Sequence, residues 1–185
     1  MTEKFIAEAT QPPGLRQEVL LIVLIGVPGS GKSTWACQNA RQAIIVSQDD
    51  LIDAITPAGF DYSARPIYAA AEEAVARAAL RAGRTVIVDR TNRTRALRKR
   101  WVDIGQETGC PVIAVKMSAD LKTCRDRNLA REGPRKVCAE RMERLIAALE
   151  PAQLDEGFEA IFDDARCPTL MAVYDEFRGH YRSSA

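Results

Sequence analysis

Apolar runs and polar breaks alternate along the chain with the spacing of strands and helices. Residues 19–25 are apolar without interruption, the pattern of a central parallel strand buried on both faces. Shorter apolar runs at 43–47, 85–89, 111–117 and 157–162 read as four more strands. Helical signals fill the gaps. One helix runs from Lys32 to about Gln42, and a short one covers 51–55 before Thr56-Pro57 stops it. Residues 57–65 form a loop. Arg65-Pro66 opens a long alanine-rich helix, with Pro66 suited to its first turn, and Gly83 ends it. A further helix spans 94–108, with Leu97, Trp101 and Ile104 on one face and Gly109 closing it. Two helical stretches near 120–130 and 135–149 flank Gly133-Pro134.

Strands alternating with helices imply right-handed crossovers and a parallel sheet covered on both faces. The expected fold is α/β, a three-layer sandwich around a parallel sheet of about five strands. Residues 1–18 hold Gln11-Pro12-Pro13-Gly14 and no sustained periodicity, so they read as an N-terminal extension. The core domain is expected at 19–165. Residues 166–185 carry no assigned element and read as a C-terminal extension.

The polar break after the first strand is the most informative stretch. Gly26-Val27-Pro28-Gly29-Ser30-Gly31-Lys32-Ser33-Thr34 follows G-x-x-x-x-G-K-[ST], the phosphate-binding loop, between a strand and a helix. Glycines let the backbone curl until several N–H groups point into one hollow that takes anionic oxygens. Gly26, Pro28, Gly29, Ser30, Gly31, Lys32, Ser33 and Thr34 are therefore expected to hold a nucleotide. Lys32 would reach its β- and γ-phosphates, and the Ser33 hydroxyl would bind Mg²⁺. ATP and Mg²⁺ are the expected ligands.

Composition changes this picture little. The 185-residue chain is 46% hydrophobic and 28% charged with net charge +1, so global charge points to neither nucleic acid nor membrane. The charge is uneven, however. Arg81, Arg84, Arg90, Arg93, Arg95, Arg98, Lys99 and Arg100 crowd one stretch beside a single acid, Asp89. Such asymmetry marks either an anion-binding face or a solvated helix. Cys37, Cys110, Cys124, Cys138 and Cys167 are an odd number without metal-site spacing, which suits reduced cytoplasmic thiols. Residues 1–18 lack the apolar core of a signal peptide, and 19–25 is too short to span a membrane.

Phosphoryl transfer needs a phosphate cradle, a metal, a proton acceptor and positive charge for the transferring group. Asp49 follows the second strand and can lie beside the loop after the first. It is either a general base for an alcohol or a turn residue, and its neighbour Asp50 is a candidate helix cap. Asp89 ends the third strand and either holds Mg²⁺ through water or shapes a turn. Arg127 and Arg131, four apart, share a helix face beside Gly133-Pro134. They form either a mobile lid over ATP or a solvated basic face.

These residues together resemble the phage-type polynucleotide 5′-hydroxyl kinases and the kinase domain of animal polynucleotide kinase-phosphatases. Residues 26–36 resemble that family's phosphate loop, and Asp49-Asp50 falls at the spacing of its general-base aspartate. Asp89-Arg90-Thr91-Asn92 resembles its D-x-T-N motif, and Arg127-Asn128-Leu129-Ala130-Arg131 its R-N-x-x-R lid. Leu154-Asp155-Glu156-Gly157-Phe158 resembles the segment entering the last strand of the animal kinases. The likeness covers about residues 19–163.

The resemblance implies that Lys32 and Ser33 bind ATP and Mg²⁺ and that Asp49 deprotonates the acceptor. It implies that Arg127 and Arg131 grip the β- and γ-phosphates, and it places Asp89 and Asn92 on the substrate side. The phage kinases carry an arginine three residues after the base, reading the acceptor's first phosphate; here that position is Ile52, as the animal kinases also lack the arginine. Arg98 is the expected substitute on the acceptor side, with Arg65 as another candidate. No D-x-D-[GT] phosphatase motif and no N-K-x-D guanine motif occur, and the chain is short for a ring-forming ATPase with a helical subdomain.

The expected function is ATP-dependent transfer of a γ-phosphate to a hydroxyl, with a DNA or RNA 5′-OH end as acceptor. Two other readings stay open. One is a small-molecule kinase acting on a sugar, antibiotic or nucleoside, and the other a non-catalytic nucleotide switch.

Overall fold

The structure, a computed structural model, describes residues 18–182, with side chains to residue 179. The expected N-terminal extension lies outside the described residues except for Glu18. At the centre stands β1 (Leu21–Ile25), every residue of it buried. β2 (Ile44–Ser47), β3 (Val86–Asp89), β4 (Val112–Lys116) and β5 (Ala160–Asp163) complete one parallel sheet in the order β2-β3-β1-β4-β5. Leu21 pairs with Val86 on one side and Val112 on the other. The expected five-stranded parallel sheet is present.

Alternate β1 residues face opposite layers, as a strand's period of two requires. Leu20, Ile22 and Leu24 pack with Trp35 and Ala36 of α1 (Lys32–Gln38) and with Val173 and Phe177 of α7 (Leu170–Arg182). Leu21, Val23 and Ile25 pack with Ala76 and Leu80 of α3 (Arg65–Arg81) and with Trp101 and Ile104 of α4 (Arg95–Thr108). A smaller cluster of Val27, Cys124 and Met142 joins the phosphate loop to α5 (Leu121–Leu129) and α6 (Ala139–Ala147). The result is the three-layer α/β sandwich of a P-loop kinase.

Several boundaries differ from expectation, each for a local reason. α1 stops at Gln38, four residues early, because the Asn39 side chain turns the chain. Its Nδ2 donates to Trp35 O at 2.8 Å, and its Oδ1 accepts Leu170 N–H at 2.8 Å. α2 (Gln48–Ile55) starts three residues early, because Ser47 Oγ accepts Asp50 N–H at 3.3 Å and caps it. The capping role expected of Asp50 thus belongs to Ser47. Asp49 and Asp50 lie in the first turn of α2, where the helix dipole favours carboxylates.

The C-terminal segment is not an appendage. Leu170, Val173, Tyr174 and Phe177 of α7 are buried in the core, and Tyr174 Oη meets Thr85 Oγ1 at 2.5 Å. All five cysteines are free. Among the described residues no helix is long and apolar enough to cross a membrane.

Candidate active site

The carboxyl ends of β1, β2 and β3 converge, and loops leaving them carry the polar residues, as expected of an open parallel sheet. After Ile25 the chain makes a tight loop. Gly29 takes φ +81° and Gly31 φ +104°, conformations that side chains rarely tolerate. Gly29 also has no room: a Cβ there would sit 2.3 Å from Cys124 O of α5. The first intrahelical bond of α1 is Trp35 N–H to Gly31 O at 2.9 Å, so the amides of Gly31 to Thr34 precede the helical ladder. They form the amide-lined hollow that the sequence pattern requires.

Lys32 is buried at 7% exposure, its Nζ donating to Val27 O at 2.9 Å and lying 3.4 Å from Ser30 Oγ. Burial pushes the ammonium down from its usual 10.5 to about 8; the Asp89 carboxylate opposes that shift and Arg131 adds to it. The Asp89 carboxyl, at the end of β3, is pushed above its usual range by burial, against a hydrogen bond from Ser33 and the charge of Lys32. Asp49 acts electrostatically on both Lys32 and Asp89. β2 and β3 pair Ser47 with Asp89, which sets the first turn of α2 beside the end of β3. Lys32, Ser33, Asp49 and Asp89 are therefore one cluster.

The other side of the loop faces a cleft of about 680 Å³, lined by Gly29, Ser30, Gly31 and Thr34, by Arg127 and Arg131, and by residues from beyond β4 and β5. Arg127 Nη1 donates to Gly29 O at 3.3 Å, tying α5 to the loop. Arg131 lies just past α5, its Nη1 3.5 Å from Arg135 O. Arg135 in turn bridges to Asp50 at 2.9 Å and Asp53 at 3.0 Å on α2. The arginine-bearing segment thus reaches across from the nucleotide side to the helix that carries Asp49.

Two expected substrate residues serve the fold instead. Asn92 is buried with φ +44°; its Nδ2 donates to Leu24 O at 2.8 Å and its Oδ1 accepts Trp101 Nε1–H at 3.1 Å. With Gly26 N–H donating to Thr91 O at 3.1 Å, the turn after β3 is an anchor for the phosphate loop. Arg98 has no exposed surface, and all its donor groups are engaged. It makes two 2.7 Å bonds to Glu156 and further bonds to Asn92 O, Glu150 O and Pro151 O. Neither side chain has a group left for an acceptor.

Trp35, Gln38, Ser118, Asp164 and Pro168, none of them expected as site residues, also line the cleft. Asp164 Oδ1 accepts Ser118 N–H at 2.6 Å, joining the ends of β4 and β5. Its signal was the Asp163-Asp164 pair at the carboxyl end of a strand.

Mg²⁺ takes oxygen ligands and keeps several waters, so a P-loop site needs one hydroxyl, substrate phosphates and an outer carboxylate. No group of three or more metal-ligating side chains occurs among the described residues. Ser33 with Asp89 hydrogen-bonded to it is the oxygen-only donor set that such a metal needs. The residues fit the ion.

A glycine-bent loop, a buried lysine and paired arginines over one cleft define a nucleotide-binding P-loop protein of kinase-like fold. The sequence family described as AAA domain matches residues 21–152, and the chain belongs to it. The motif-level likeness to polynucleotide kinases is borne out by a curated relative. The chain is 30% identical over 113 residues to the bifunctional polynucleotide phosphatase/kinase of Schizosaccharomyces pombe, covering 60% of this chain and 24% of that protein. It thus spans about a quarter of that relative's length. Among solved structures, Kti12 of Chaetomium thermophilum in complex with ADP-AlF₃ superposes with TM-score 0.63 at 20% identity, over 89% of this chain and 99% of that one. The Pnkp1/Rnl/Hen1 RNA repair complex matches with TM-score 0.61 at 20% identity, over 76% of this chain and 47% of that one.

Proposed function

We propose that the chain transfers the γ-phosphate of ATP to a hydroxyl, and that the acceptor is the 5′-OH end of a polynucleotide. The observation that carries the transfer is the placement of Asp49. An exposed carboxylate on the first turn of α2 stands in one electrostatic cluster with the buried ammonium of the phosphate loop.

In this reading the cleft holds ATP, with its phosphates on the amides of the loop from Gly26 to Thr34. Lys32 lies between the β- and γ-phosphates. Mg²⁺, held by Ser33 and through water by Asp89, would neutralise charge on the phosphate oxygens when bound. Asp49 accepts the proton of the attacking hydroxyl, a role that contributes about 10²–10⁴-fold. Arg127 and Arg131 stabilise charge on the transferring group and exclude water as the segment closes. The likeness to polynucleotide kinases supports the nucleic-acid acceptor.

A second reading, a small-molecule kinase on the same scaffold, draws support from Ile52 and from the burial of Arg98. The test is an acceptor panel with γ-labelled ATP. It comprises a 5′-OH oligodeoxynucleotide, its RNA counterpart, a nucleoside and free sugars. Label on oligonucleotide 5′ ends supports the first reading; label on a free sugar or nucleoside alone replaces it with the second.

A further inference from the structure

The cleft beside the phosphate loop follows α1 from Gly31 and Thr34 at its start to Gln38 at its end. Thr34 and Gln38 stand about 6 Å apart along the helix axis. A volume of about 680 Å³ lies in the range of pockets that enclose a whole small ligand. The two ends of the cleft differ in charge. Both cations belong to the phosphate end: Arg127 Nη1 donates to Gly29 O, and the charge of Arg131 acts on Lys32. The far end is bounded by Trp35, Pro168, Ser118 and Asp164.

Asp164 is the charged group of that far end. It directly follows β5, and its backbone N–H donates to Lys116 O at 3.0 Å. Its Oδ1 accepts Ser118 N–H at 2.6 Å, which fixes the carboxylate between the ends of β4 and β5. Its Oδ2 takes no hydrogen bond among the described residues. Arg166 does not neutralise it, because that guanidinium pairs with Glu176 at 2.6 Å and its backbone N–H goes to Asp163 Oδ1 at 2.8 Å. Trp35 Nε1 is engaged as well, donating to Cys167 O at 3.0 Å, so the indole meets the cleft as an apolar ring.

An ionised carboxylate only accepts hydrogen bonds. A ligand group against Oδ2 must therefore offer an N–H or O–H, and a carbonyl oxygen there is repelled. Apolar walls around one such acceptor suit a purine that carries one donor. Adenine has an amino group at position 6, where guanine has a carbonyl oxygen. The adjoining N1–H and 2-amino donors of guanine call for both oxygens of one carboxylate. Here one of the two is already bound to Ser118.

We propose that Asp164 sets the base specificity of the phosphate donor. Its free oxygen accepts a hydrogen bond from the 6-amino group of adenine and turns guanine nucleotides away. The proposal rests on the nucleotide-binding cleft of the kinase reading above. It adds a selection that the phosphate cradle cannot make, since loop amides meet only the phosphate oxygens that every nucleoside triphosphate carries.

The test is calorimetric titration of the full chain in Mg²⁺ with ATP, GTP and purine riboside triphosphate, which lacks the 6-amino group. Wild type should bind ATP about 10- to 100-fold more tightly than either of the others, the difference typical of a hydrogen bond to a charged group. Asp164→Asn should invert the choice. Ser118 N–H needs an oxygen, so the amide oxygen stays with it and Nδ2 replaces Oδ2 toward the base. That donor favours a carbonyl at position 6, so GTP should bind at least as tightly as ATP, and ATP should fall to the level of purine riboside triphosphate. Asp164→Ala should bring the three affinities together, and it is the variant to read if Asp164→Asn does not fold. A role confined to joining β4 and β5 would weaken all three nucleotides alike. Unchanged ratios in the folded variants would therefore overturn the proposal, as would equal wild-type affinity for ATP and GTP. Selective binding of ATP without transfer to any acceptor upholds the donor site and removes only the kinase reading. Failure to bind any of the three removes both.

Discussion

Arg98 and Glu156 face each other through two hydrogen bonds of 2.7 Å, with 0% and 3% of their side chains exposed. The pair clamps α4 to the turn that enters β5, and three backbone carbonyls take the remaining Arg98 donors. Breaking a buried pair by removing one partner leaves an uncompensated charge and costs about 3–5 kcal/mol. Arg98→Ala should therefore lower stability by that order in chemical denaturation. Arg98→Lys should recover little of it, because an ammonium cannot meet the same partners. A variant of near-normal stability would contradict the structural role.

Lys32 is predicted to make nucleotide binding depend on pH. Its folded-state value of about 8 lies below the usual 10.5. In the free protein the burial cost of the ammonium, of order 3 kcal/mol, is fully present below about pH 8. It is relieved between about 8 and 10.5, where the unfolded chain binds more protons, so stability gains from this group as pH rises through that window. A triphosphate at Lys32 should restore the ammonium, so binding above pH 8 should take up a proton and weaken with rising pH. Calorimetry at about pH 9 in buffers of different ionisation enthalpy should show uptake approaching one proton per nucleotide, and little near pH 7. Lys32→Met should abolish it.

Gly29 is predicted to admit no side chain. Its positive φ and the Cys124 carbonyl, 2.3 Å from where a Cβ would stand, act together. Gly29→Ala should cost about 1–3 kcal/mol from backbone strain alone, with displacement of α5 added to it. Nucleotide affinity should fall with stability, since α5 carries Arg127. Gly31→Ala meets no neighbour within 4 Å and should bear the conformational strain without the clash. Equal loss in the two variants, measured by melting temperature and nucleotide titration, would argue against the packing explanation.

Phe177 tests the place of α7. It is 1% exposed, in the cluster that also holds Leu20, Ile22 and Leu24. Phe177→Ala should destabilise by about 3–5 kcal/mol, and ending the chain before Leu170 should abolish cooperative unfolding. A truncated chain that still unfolds cooperatively would contradict the place of α7 in the core.

The strand, loop and helix around Lys32 were legible because the signal is local: an apolar run, glycines at fixed offsets and a helix start, all within one short stretch. The positions of Asp49 and Asp89 follow from equally local signals, since Asp89 ends β3 and Asp49 comes two residues after β2, in the first turn of α2. Arg98 was not. Residue type and spacing do not reveal whether a guanidinium turns inward, and its partner Glu156 is 58 residues away. Asn92 was misread because a residue that shapes a turn beside a site has the same sequence signature as one that touches substrate. The helix at the C-terminal end did carry its signal, since Leu170, Val173, Tyr174 and Phe177 repeat at helical spacing. What the sequence lacked there was a partner for that face, which only the sheet supplies.

The proposed mechanism makes Asp49 the base of a phosphoryl transfer to a hydroxyl. The most direct measurement follows labelled γ-phosphate from ATP to a 5′-OH oligonucleotide, with wild type and Asp49→Asn side by side and nucleotide affinity measured for both. Labelled 5′ ends are expected with wild type, with a loss of about 10²–10⁴-fold in turnover for Asp49→Asn and nearly unchanged ATP binding. Near-normal transfer by Asp49→Asn would contradict it.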